Sequence, residues 1–71
     1  MYRNLASTLK TKGISNRQLA EILGISEKSV DNKISGRTDW TLPEFRKTCL
    51  LLKEYDSDWL FEKASRGSVD A

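Results

Sequence analysis

Ser15-Asn16-Arg17-Gln18-Leu19-Ala20-Glu21-Ile22-Leu23-Gly24-Ile25-Ser26-Glu27-Lys28-Ser29-Val30-Asp31-Asn32-Lys33-Ile34-Ser35-Gly36 is the stretch on which the fold of this 71-residue chain turns. Ser15 followed three residues later by Gln18 has the form of a capping box: the serine hydroxyl takes an orphan amide of the helix, and the glutamine reaches back to the serine N–H. Leu19, Ala20, Ile22 and Leu23 supply an apolar face, and Gly24 stands where a helix ends in a left-handed residue. Ser26 restarts the chain as an N-cap, Val30 and Ile34 lie one turn apart, and Gly36 closes the second block. The spacing predicts two short helices with a one-glycine joint. Ala20 is small where the helices approach, Gly24 accepts the positive φ of the turn, and Ile25 and Val30 lock the pair to the helix before it.

Working outward, Tyr2, Leu5, Ala6 and Leu9 recur at helical spacing, with Lys10 and Lys12 near the negative end of the helix and Gly13 at its stop. On the other side, Thr41-Leu42-Pro43-Glu44 is a second capping box with proline in the first turn. It opens a fourth helix expected to carry Leu42, Phe45, Cys49 and Leu52, with Leu50 and Leu51 widening its apolar surface. Asp56, Ser57 or Asp58 can cap a last short helix around Trp59, Leu60 and Phe61. Three large apolar side chains in a row cannot all face one core, so part of that surface is expected to meet another subunit. Trp40 is expected to close the core after the Arg37-Thr38-Asp39 loop. No stretch alternates with period two, so the expected class is all-α, a single domain over residues 1–63 followed by a mobile tail over 64–71.

Composition bounds what such a chain can do. At about half the length of a typical domain and 38% hydrophobic residues, it has a small core and little room for a deep catalytic cleft. Having no His and one Cys excludes an internal disulfide and nearly every protein-built zinc site. Cys49 falls on an apolar stripe with no His to act as its base, and reads as an inert core thiol. No nucleophile–base pair, phosphate loop or metal cluster is present, so catalysis, cofactors and a small-molecule ligand are not expected. The lone thiol fits a reducing compartment, no apolar h-region follows Met1, and the longest apolar run, Cys49 to Leu52, is far short of a membrane span. A cytoplasmic location is the expectation. The net charge of +2 hides an asymmetry: residues 1–37 hold seven basic and three acidic side chains, residues 38–71 five and seven. The basic half calls for an anionic partner.

The two capped blocks read as a helix-turn-helix, in which the first helix braces the DNA backbone and the second enters the major groove. With Val30 and Ile34 inward, Lys28, Ser29, Asn32 and Ser35 occupy the opposite face and Glu27 its leading edge. Asn pairs with adenine through two bonds, Lys donates to guanine acceptors, and Glu accepts from the cytosine amino group. Glu27, Lys28, Ser29 and Asn32 are therefore the candidate base-reading residues. Asn16 and Arg17, at an open helix N-terminus, and Arg37, just past the second helix, suit phosphates. Asp31 stays off the contact surface, because a carboxylate repels phosphates.

The run Gln18 to Ser26, continued through Val30 and Gly36, resembles the helix-turn-helix of the Cro and lambda-repressor-like regulators of phages and bacteria, over about residues 2–61. The resemblance implies a compact five-helix DNA-binding domain that works as a dimer on a near-palindromic double-stranded operator. By matching position it makes Asn16 a phosphate contact and Glu27, Lys28 and Asn32 base-reading residues. One departure stands out: the family has an apolar residue three after the Val30 position, where this chain has Lys33, with Ile34 one place later. The expectation is a helix rotated or bent toward its end, with the Lys33 stem on the core and its ammonium at a phosphate. A competing function is an adaptor or anti-repressor acting through protein contacts, which would need an apolar patch where the second helix instead presents polar and cationic groups.

Overall fold

The computed structural model describes residues 1–63, so the expectation of a mobile tail over 64–71 falls outside the described residues. Five helices follow one another: α1 (Arg3–Thr11), α2 (Asn16–Leu23), α3 (Glu27–Ser35), α4 (Leu42–Leu51) and α5 (Ser57–Leu60). There is no strand among the described residues, and the class is all-α. Their starts are set locally. Ser15 and Thr41 form complete capping boxes with Gln18 and Glu44, Ser26 accepts from the Ser29 amide, and Asp56 accepts from the Trp59 amide. Each such cap is worth about 1 kcal/mol. Gly24, at φ +73°, ends α2, and the Ile25 amide donates back to the Ala20 carbonyl at 3.0 Å, turning the chain tightly into α3.

The core gathers Leu5 and Leu9 from α1, Leu19, Ala20 and Leu23 from α2, Val30 and Ile34 from α3, Leu52 just past α4, and Leu60 from α5. Burial of each Leu side chain contributes about 1.5 to 3 kcal/mol. α2 packs on α3 and α4, and α1 on α3 and α5. Two longer-range hydrogen bonds tie the chain start into this arrangement. The Tyr2 amide donates to the Ile34 carbonyl at 2.9 Å, and Asn4 Nδ2 donates to the Trp59 carbonyl at 2.9 Å.

The inner face of α4 departs from the expected apolar stripe. Leu52 is fully buried and Phe45 and Cys49 are half-buried, but Leu42 stands 59% exposed and Glu44 and Thr48 take the innermost places. The reason is internal satisfaction of polar groups. Thr48, fully buried, donates its hydroxyl to the Glu44 carbonyl at 2.8 Å, so its polar group is satisfied within the helix. Glu44 accepts from the Thr41 amide at 2.9 Å and meets the Lys33 ammonium at 3.0 Å.

The Trp59-Leu60-Phe61 run is divided three ways. Leu60 enters the core and Trp59 stacks on Tyr55 at the surface, their rings 6.1 Å apart and 16° from parallel. Phe61 joins an edge-to-face cluster with Trp40 and Tyr2, at 5.1 and 5.9 Å. Trp40 thus closes one side of the molecule, as its place after the loop suggested. No helix among the described residues is long and apolar enough to cross a membrane.

Candidate nucleic-acid interface

Three adjoining segments carry the polar residues singled out above: the N-terminus of α2, the outer side of α3, and the turn that follows α3. At α2, the Ser15 hydroxyl accepts from the Gln18 amide at 3.1 Å. The amides of Asn16 and Arg17 are left at the open, positive end of the helix. The Asn16 side chain is half-buried there, and Arg17 is exposed.

α3 runs as one α-helix from Glu27 to Ser35 and turns Val30, Lys33 and Ile34 inward. Glu27, Lys28 and Asp31 are exposed, while Ser29, Asn32 and Ser35 are half-buried at the margins of the outer face. The Ser26 hydroxyl accepts from the Ser29 amide at 3.1 Å and donates to the Ser29 hydroxyl at 3.0 Å. Beyond α3, Gly36 adopts φ +91° and reverses the chain around the Asn32 carbonyl. That oxygen accepts from the amides of Gly36 at 3.1 Å and Arg37 at 2.9 Å, and from the Ser35 hydroxyl at 3.1 Å. The reversal lays Arg37 over the side chain of Asn32, where Nη1 donates to Oδ1 at 3.3 Å. Asn32 and Arg37 are thereby brought together, while Arg17 and Asn16 stay on their own helix end.

Lys33 is corrected by the structure. Only 9% exposed, its ammonium donates to the Asp39 carbonyl at 2.9 Å and pairs with Glu44 Oε1 at 3.0 Å. It is engaged inside the molecule and does not serve as a phosphate contact. The apolar position of the resembled family is filled by a cation with a built counter-charge. Burial pushes the Glu44 carboxyl upward, but the Thr41 amide, the Lys33 ammonium and the Thr41 hydroxyl outweigh it and hold the group below its ordinary range. The pair fastens the far end of α3 to the start of α4, behind the outer face.

Burial pushes the Cys49 thiol up, keeping it protonated at neutral pH. On the aromatic side, Tyr2, Trp40, Leu42, Phe45 and Phe61 line an open groove of about 500 Å³. Trp40 Nε1 is buried with no acceptor among the described residues. No group of three or more His, Cys, Asp or Glu is placed to hold a metal ion among the described residues. Sequence reasoning missed the Lys33–Glu44 pair and the Asn32–Arg37 contact. Gly36 was the available signal for the second, since a left-handed residue at that place folds the chain back on the last helical turn.

Compared with models of protein families, with curated proteins and with solved structures, the chain matches none.

Proposed function

We propose that the chain is a sequence-specific double-stranded DNA-binding transcriptional regulator of the Cro and lambda-repressor-like kind. In this reading α2, the Gly24 turn and α3 act as a helix-turn-helix. The observation that supports it is the division of α3: Val30 and Ile34 are buried, Glu27 and Lys28 are open to solvent and Asn32 is half-buried, while Arg17 in the first turn of α2 and Arg37 just past α3 are exposed cations. Backbone amides and Asn16 at the α2 end, with Arg17 and Arg37, hold phosphates on either side of the groove. Between them, the first turns of α3 meet base edges. No large apolar residue stands on the outer side of α3, which disfavours the adaptor reading for this face.

The regulator works as a homodimer, weak when free and firmer on DNA, using apolar side chains left outside the core, Leu50 and Trp59 among them. A two-fold protein fits an inverted repeat with half-site centres about 34 to 36 Å apart. It acts in the cytoplasm, without catalysis, cofactor or small-molecule inducer.

Selection of bound sites from random duplex DNA tests the reading. The expected result is an enriched inverted repeat bound by two chains. On it, Arg17→Ala weakens selected and random DNA alike and lowers the magnitude of the log-affinity against log-salt slope by about one. A folded protein that enriches no duplex overturns the proposal.

A further inference from the structure

We infer that a second copy of this chain docks on the aromatic groove, with Leu42 of each copy seated among Trp40, Phe45 and Phe61 of the other. The inference rests on the homodimer of the proposed function and deepens it by placing the contact at the start of α4.

The groove, of about 500 Å³, is open and lined by Tyr2, Trp40, Phe45 and Phe61, whose rings meet edge-on or tilted with centroids 4.7 to 6.2 Å apart. Leu42 stands on its wall and is 59% exposed, and Pro43 beside it is exposed as well. A socket and a projecting apolar side chain therefore share one face. A two-fold contact requires that combination, because a single patch must serve as both partners. Each Leu42 that enters a groove is matched by its symmetry mate, so the contact is made twice.

The backbone at this end of α4 is suited to an apolar cover. The Glu44 amide donates to the Thr41 hydroxyl at 3.3 Å, the Phe45 amide donates to the Thr41 carbonyl at 2.9 Å, and Pro43 has no N–H to lose. Among the first-turn amides only that of Leu42 is left open, so little is stranded when water is excluded. The start of α2 is the opposite case, with two open amides beside Arg17, and suits an anion. Charge points the same way. Asp39 on the groove wall and Lys63, 5.7 Å from the centre of the Tyr2 ring, carry opposite signs, so the rim neither repels a copy of itself nor selects a charged partner. Placement completes the case. The Lys33–Glu44 pair, at 3.0 Å, ties this end of α4 to the far end of α3, whereas Leu50 lies about 12 Å further along the helix. A seam at the groove sets the two-fold axis beside the Arg37 turns, close to the surface assigned to the duplex.

The test needs no DNA. In a mixture of isotope-labelled and unlabelled full chain, isotope-filtered nuclear Overhauser spectra are expected to show the Leu42 methyls of one copy against the rings of Trp40, Phe45 or Phe61 of the other. Leu42→Asp places a carboxylate where a helix N-terminus favours it and removes an exposed side chain, so the Tm should hold. Self-association, read by sedimentation equilibrium, should weaken about a hundredfold, because each dimer loses two buried leucines. Intermolecular contacts at Leu50 and Trp59 with none at Leu42, or same-chain contacts from residues 64–71 within the groove, overturn the inference and leave the DNA reading standing. Self-association that Leu42→Asp does not weaken does the same. A chain that stays monomeric both free and on its selected duplex overturns the homodimer and the inference together. A chain that pairs through Leu42 but enriches no duplex overturns DNA reading alone and upholds the inference.

Discussion

α2 and α4 begin with the same device and bury opposite kinds of surface. Each opens on a complete capping box, Ser15 with Gln18 and Thr41 with Glu44. α2 then turns Leu19, Ala20 and Leu23 inward, whereas α4 turns in Glu44 and Thr48 and leaves Leu42 and Leu50 in water, Leu50 at 73% exposure. A cap acts on amides within one turn and is indifferent to what the helix later packs against. The buried face is decided by what waits across the interface. For α2 that includes the apolar side of α3, Val30 and Ile34, with which it shares the core; for α4 it includes the Lys33 ammonium, which needs a carboxylate.

The largest test of this contrast strikes the pair itself. Glu44→Gln keeps an acceptor for the Thr41 amide but strands the Lys33 charge, and should cost about 3 kcal/mol in urea unfolding. The double variant Lys33→Met/Glu44→Gln should recover most of it. Equal losses in the single and double variants would mean the charge pair does not decide which face of α4 is buried. The same contact predicts a pH dependence. The folded-state pKa of Glu44 lies below its unfolded value, so its contribution is complete above the unfolded carboxyl pKa of about 4.3 and is lost as pH falls through the lower folded value. Unfolding curves between pH 7 and pH 3 should show this loss in the wild type and not in the double variant.

On the α2 side, Ala20→Leu forces a branched side chain into a space left for a methyl and should cost about 2 kcal/mol, read as a lowered Tm. Wild-type stability there would show the α2–α3 contact to be loose. Gly24→Ala is a milder test. A Cβ at Gly24 meets nothing within 4 Å, so only the backbone cost of φ +73° remains, about 1 kcal/mol. A much larger loss would point to a contact hidden in the turn. Smallest of all, Leu50→Ala should stay within about 0.5 kcal/mol for the free chain. A clear loss that grows with protein concentration would place Leu50 in a subunit contact.

Helix boundaries were legible because the residues that set them act locally. Ser15, Ser26 and Thr41 each cap within three residues, and Gly24 and Gly36 take the left-handed conformations their places demanded. The facing of α4 was not legible. Its cause lies in Lys33, on another helix, and in Thr48, whose polar group is spent within its own helix. The candidate interface divides the same way. That Glu27 and Lys28 face solvent follows from helical period alone, but the partners of Ser29 and Asn32, Ser26 and Arg37, are brought by the turns at either end of α3. Lys33 misled because a lysine beside a polar face looks like part of it until its carboxylate is in view.

The start of the chain has a practical consequence for anyone handling this protein. The Tyr2 amide is pinned to the last turn of α3, and a Cβ on Gly36 would come within 3.2 Å of the Met1 nitrogen. Residues joined ahead of Met1 therefore emerge beside the Gly36–Arg37 reversal. An affinity tag fused there would sit at the mouth of the surface assigned to DNA and compete with the ligand for room. Lys63 lies over the Tyr2 ring, 5.7 Å from its centroid, so a tag after residue 63 starts from the same side, and cleavage of the tag becomes a control in every binding assay.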